Sequence, residues 1–148
     1  MDVLLDTNVL LRIVDKSSSQ HLAAAEAVRI ISERSRIVIV PQIAHEFWAV
    51  ATRSAESNGL GMNVSQADQH LMDIVDEFPL LRDERGILQH WWELVRKHSV
   101  AGVRSYDARI VAAMMRHGIT KLLTFNARHF SIFTNIQVLT PEEVEESP

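Results

Sequence analysis

Ile37-Val38-Ile39-Val40 is a run of four β-branched residues that ends directly on Pro41. It has no polar alternation, so it suits a strand buried on both faces, as strands of parallel sheets are. Pro41 suits the first turn of a following helix. Val3-Leu4-Leu5, Lys121-Leu122-Leu123-Thr124 and Ile136 to Leu139 are further short apolar runs, too short for helices, and Phe78-Pro79-Leu80-Leu81 reads as a weaker strand. Between them lie stretches with helical period. A helical segment runs from Val9 to Val14, and a helix capped from Ser17-Ser18-Ser19 runs through about Ser32. Others run from Gln42 to about Arg53, from a cap at Asn63 or Ser65 to about Glu77, from Asp83 to His98, and from Ser105 to His117 with Gly118 as the stop. Strands alternating with helices call for right-handed βαβ crossovers and a parallel sheet covered on both faces. Ligands of such sheets bind at the carboxyl ends of the strands.

The chain has 148 residues, enough for one domain with a real core. We expect a single domain over residues 1–140 and an acidic tail over 141–148. The absence of cysteine excludes a disulfide scaffold, a thiolate zinc site and a cysteine nucleophile. No apolar run approaches a membrane span. The start Met1-Asp2-Val3 shows no basic leader, so a cytoplasmic protein is expected. The net charge of −4 gives no global field that would attract nucleic acid. All four glutamates of the tail contribute to it, and the body is neutral.

Three carboxylates stand where a core or a rim should be. Asp6 follows the first strand directly; taken alone, it is an Asx-type helix cap or a rim ligand. Glu46 lies early in the helix after Pro41, at the edge of the stripe Ile43, Phe47 and Val50. Asp107 shares a helical stripe with Ile110, Val111 and Met114, so the spacing predicts a core-facing carboxylate that must be capping, paired or metal-bound. One cause explains all three: carboxylates that follow strand ends converge on one crevice. Oxygen ligands without sulfur select Mg²⁺ or Mn²⁺, and a hard cation in an acidic cleft points to phosphate chemistry.

Four blocks, Val3 to Leu10, Pro41 to Trp48, Tyr106 to Ala113 and Leu122 to Phe130, resemble PIN-domain nucleases in order and spacing. The resemblance covers about residues 1–140 and is close to the VapC-type toxins of bacterial toxin–antitoxin pairs. It implies a three-layer α/β/α fold with a central parallel five-stranded sheet. It also implies a Mg²⁺ or Mn²⁺ site, endonucleolytic cleavage of RNA, a homodimer and a small antitoxin partner. Asp6, Glu46 and Asp107 match the family's acidic metal-site positions, and Thr7 and Asn8 match the polar pair supporting the first. The family's fourth acid falls at Asn126 or His129, neither of which is acidic here; Asn126 can still offer its amide oxygen.

Arg12, Arg109 and His129 are candidate phosphate contacts, with Arg104 close to them in sequence; salt-bridge, packing or surface roles are their plainer readings. Trp91 and Trp92 point about 100° apart on one helix, so one is expected in the core and the other over a groove or a subunit interface. A haloacid-dehalogenase-type phosphatase would need an aspartate at Asn8. The remaining alternatives are a PIN-like domain, weak or inactive in catalysis, that binds RNA or protein, and a PIN nuclease acting on DNA or in RNA processing.

Overall fold

The computed structural model describes residues 1–146. Four strands, β1 (Asp2–Leu5), β2 (Arg36–Val38), β3 (Lys121–Leu123) and β4 (Gln137–Leu139), form one sheet in the order β2-β1-β3-β4. Every pairing is parallel. β1, with Val3, Leu4 and Leu5 all buried, runs through the middle. The expected fifth strand around Leu80 is reduced to one parallel bridge with Ile39. Pro79 explains the reduction: it has no N–H for a ladder, and only its carbonyl, accepting from Ile39, and the N–H of Leu81 hold the segment to the sheet.

The connections are helical: α1 (Thr7–Val14), α2 (His21–Ser32), α3 (Pro41–Thr52), α4 (Val64–Glu77), α5 (Ile87–Lys97), α6 (Arg104–His117), the single turn α7 (Ala127–Phe130) and α8 (Pro141–Glu146). The chain moves from β1 to β2 in one direction across the sheet and from β2 to β3 in the other. Right-handed crossovers therefore put α1 and α2 on one face and α3 to α6 on the opposite face. α8 packs on α2, α5 on α6, and α3 on α4. The acidic tail is thus partly a helix that buries Pro141 and Val144. Its last two residues, 147 and 148, lie outside the described residues.

Local chemistry accounts for several helix ends. Asn63, not Ser65, caps α4, in a reciprocal capping box with Gln66. Gly118 ends α6 with φ +70°, a left-handed conformation that favours glycine. Two expected helix starts move. α2 begins at His21 with no side-chain cap, because Ser18 bonds the Gln20 N–H one residue too early. α5 begins at Ile87, because Gly86 with φ +95° breaks the helix expected from Asp83. Trp91 is partly buried and donates to the Ser105 carbonyl, while Trp92 is exposed under Arg96. Phe47, Ile43 and Met114 are fully buried, each worth about 1.5–3 kcal/mol of apolar transfer.

Candidate active site

β1 and β3 are neighbours, and the strand order turns outward from them in both directions. Their carboxyl ends therefore form the switch point where open α/β sheets bind ligands. Asp6 is delivered there by the ladder itself, its N–H still donating to the Leu123 carbonyl at 3.0 Å. It also caps α1, its Oδ1 accepting from the Thr7 N–H at 2.8 Å. Oδ2 accepts from the Thr124 hydroxyl at 2.7 Å and from the Asn8 amide at 3.2 Å. Asn8 binds this knot together: its Nδ2 also donates to Thr124 Oγ1, and its Oδ1 accepts from the Phe125 N–H.

Glu46 projects from the second turn of α3. Its Oε1 accepts from Gln42 Nε2 at 2.7 Å and its Oε2 from the Thr7 hydroxyl at 3.4 Å. Gln42 also donates to the Tyr106 carbonyl and accepts from Arg109, so one buried amide sets the spacing of α3 and α6. Asp107 sits in the first turn of α6, and its Oδ2 accepts from Arg104 at 2.8 Å. The stripe Ile110, Val111 and Met114 is buried as expected. Asp107 itself keeps 18% of its side chain exposed, because the first turn of α6 projects past the core, and Arg104 meets its need for a partner.

Asp6, Glu46 and Asp107 line one pocket of about 190 Å³ together with Thr7, Asn8, Asn126 and His129. The Asn126 N–H is fixed by Thr124 Oγ1 at 3.0 Å. His129 Nδ1 stands 2.7 Å from Arg104 Nη1, and since a guanidinium only donates, this nitrogen accepts. Burial pushes the Asp6 carboxyl above its ordinary value; the Thr124 and Thr7 hydrogen bonds oppose this and the charge of Asp107 adds to it. Burial also pushes Glu46 up, against the Gln42 hydrogen bond and with the charges of Asp6 and Asp107. Crowded carboxylates of this kind are what a bound cation relieves. The donors are oxygens, which suits Mg²⁺ or Mn²⁺. Among the described residues no three His, Asp or Glu side chains stand close enough to grip one ion directly: Asp107 is held by Arg104 and Glu46 by Gln42. The set fits a cation held partly through water.

Two candidate phosphate contacts lie off the pocket. Arg12 donates to Gln20 from the last turn of α1. Arg109 lines the adjoining cleft and pairs with Asp83 at 3.5 Å. Sequence reasoning missed Thr124 and Gln42. Both left a signal: Thr124 is a polar residue closing an apolar strand beside β1, and Gln42 lies one helical turn before Glu46.

The PIN domain family profile matches residues 3–134. A comparison with curated proteins gives no match. Among solved structures, VapBC2 from Rickettsia felis, bound to a DNA fragment from its promoter, aligns with TM-score 0.72 at 14% identity, covering 95% of this chain and 98% of that one. DNA-bound VapBC from Salmonella typhimurium gives 0.70 at 18%, with 95% and 98% covered. VapC20 from Mycobacterium tuberculosis, a sarcin–ricin-loop-cleaving toxin, gives 0.66 at 14%, with 88% and 95% covered. At these identities the likeness speaks for the fold. With the profile spanning most of the sequence and the carboxylates gathered at the sheet's switch point, the chain belongs to the PIN domain family.

Proposed function

We propose that this protein is a divalent-metal-dependent endoribonuclease that hydrolyses RNA phosphodiester bonds and acts as the toxin of a toxin–antitoxin pair. The observation that carries this reading is the convergence of Asp6, Glu46 and Asp107, with Asn126, on one pocket. These four residues would hold Mg²⁺ or Mn²⁺, with Thr7 and Asn8 fixing the oxygens of Asp6. A hard cation bound there supplies charge neutralisation at the phosphate and lowers the pKa of water.

The chain's own residues divide the remaining work. Both Asp6 oxygens are occupied by protein donors, so this carboxylate orients and does not move. Asp107 spends only Oδ2 on Arg104. Its Oδ1 takes no hydrogen bond among the described residues, which makes it the better acceptor for the proton of an attacking water. Arg104 and His129 meet at the pocket mouth, where a phosphate oxygen can replace Asp107 as the partner of the guanidinium. Hydrolysis by water needs no ribose 2′-hydroxyl as nucleophile.

The similar structures include a toxin–antitoxin complex from Klebsiella pneumoniae and a toxin that cleaves the sarcin–ricin loop. By that analogy we propose an antitoxin that covers this pocket, and a homodimer. The test is cleavage of several structured RNAs and of single-stranded DNA by the pure protein. RNA scission that stops in EDTA and returns with Mn²⁺ supports the reading, and metal-independent or absent scission overturns it. One observation favours a binding-only domain. The fourth acidic position is uncharged, at Asn126 and His129, and Arg104 neutralises Asp107. RNA binding without scission would select it.

A further inference from the structure

The acidic pocket opens into a larger cleft of about 650 Å³ between α3 and the first turns of α6. The two share Glu46 and Asp107, so a strand whose phosphate lies at the carboxylates has its neighbouring nucleotide in this cleft. The volume is that of a small-ligand site. The floor is rigid: Gln42 is bonded at once to Glu46, to the Tyr106 carbonyl and to Arg109.

The walls are different. The His45 and Tyr106 side chains line the cleft, are exposed, and make no hydrogen bond or ring contact among the described residues. Trp91, by contrast, has its N–H taken by the Ser105 carbonyl. Tyr106, a residue 63% exposed beside the pocket, has a ring with no partner among the described residues, and Arg104 on the same wall supplies a cation for a phosphate. A free π-face with a guanidinium beside it is the combination that binds unstacked nucleotides. A base-paired duplex keeps its bases stacked and cannot use such a ring.

We propose that this cleft is a nucleobase subsite: one unpaired base of a single-stranded RNA stacks on the Tyr106 ring while Arg104 reaches its phosphate. It makes the protein select unpaired RNA at the nucleotide flanking the cut. This rests on the nuclease reading of the adjoining pocket. Peptide segments and a second copy of the chain are the competing occupants. The cleft's continuity with the carboxylates and its guanidinium beside a free ring favour RNA.

The experiment measures fluorescence anisotropy of a labelled 12-nucleotide RNA, single-stranded or annealed to its complement, in EDTA. The proteins are wild type, Tyr106→Ala and Tyr106→Trp. Tyr106 is exposed, so neither change should disturb folding. We expect Tyr106→Ala to weaken single-strand binding about 5- to 50-fold, Tyr106→Trp to stay near wild type, and duplex binding to be unchanged. In Mg²⁺, Tyr106→Ala should raise KM. Equal affinity of Tyr106→Ala and wild type for the single strand overturns the proposal, as do equal losses on single strand and duplex. A fall in sedimenting mass in Tyr106→Ala with RNA affinity intact also overturns it, by assigning the ring to an interface between copies. Wild type that cuts RNA while Tyr106→Ala keeps the same KM removes the subsite and leaves the nuclease standing. Wild type that neither binds nor cuts RNA removes both.

Discussion

Thr124 has no accessible surface, yet three polar groups converge on its hydroxyl. It donates to Asp6 Oδ2 at 2.7 Å and accepts from Asn8 Nδ2 and the Asn126 N–H, both at 3.0 Å. Thr124→Val keeps the shape and deletes all three bonds. The bond to the Asp6 carboxylate contributes about 1.5–3 kcal/mol as a hydrogen bond to a charged group. The two donors it leaves behind add less. Asn8 keeps its bond to Asp6, and the Asn126 N–H, at the pocket wall, can turn to water, so we count about 1 kcal/mol for the pair. The expected loss is about 2–4 kcal/mol, or a Tm lower by roughly 5–15 °C. Thr124→Ser keeps the hydroxyl and loses one buried methyl, about 1 kcal/mol. Urea unfolding of the three proteins, with Mn²⁺ and with EDTA, measures the difference. The valine variant should also bind Mn²⁺ more weakly, since it removes a hydrogen bond that holds the Asp6 carboxyl down. A valine variant as stable as the serine variant would refute the hydroxyl's role in the site.

Arg104→Ala releases Asp107 from its ion pair. The pair is partly exposed and worth about 0–1 kcal/mol, so calorimetry should show Mn²⁺ affinity up to about fivefold tighter; weaker affinity would contradict the assignment. Gln42→Ala breaks the link between α3 and α6 and should cost about 1–3 kcal/mol in urea unfolding; an unchanged midpoint would mean the link is idle. The pH dependence follows from Asp6 and Glu46, both held above their ordinary values. The folded state keeps their protons longer, so this contribution is complete below the ordinary carboxylate range and lost as pH rises through the raised values. In EDTA, the stability of wild type relative to Asp6→Asn/Glu46→Gln should therefore fall as pH rises above the ordinary carboxylate range. A relative stability that rises with pH there would reverse the sign.

Most of the fold was legible because it rests on local signals. The β-branched run before Pro41, Val3-Leu4-Leu5 after the start, and Gly118 after the Ala-rich stripe each act within a few residues. The Leu80 segment was not legible as a single bridge, since sequence shows an apolar run but not how many ladder bonds survive around Pro79. The start of α5 shifted because Gly86 takes φ +95°, and sequence shows that a glycine can adopt such a φ but not that it does. In the candidate site, Asp6, Glu46 and Asp107 were singled out from their positions after strands or on helical stripes, and the structure brings them to one pocket. Their partners were harder to find. Asp107 pairs with Arg104 on its own helix instead of facing the core, and Arg12, near Asp6 in sequence, turns to Gln20. Thr124 is 118 residues from Asp6, and only the β1–β3 pairing brings them together.

The account's central claim is that Asp6, Glu46 and Asp107 act on one cation. Titration calorimetry with Mn²⁺ on wild type, Asp6→Asn, Glu46→Gln and Asp107→Asn tests it most directly. The account predicts saturable binding to wild type, and a loss of at least about tenfold in affinity for each neutralised carboxylate, the scale seen when even outer partners of a metal site are removed. Wild type that binds no Mn²⁺, or variants that bind it as wild type does, would contradict the claim.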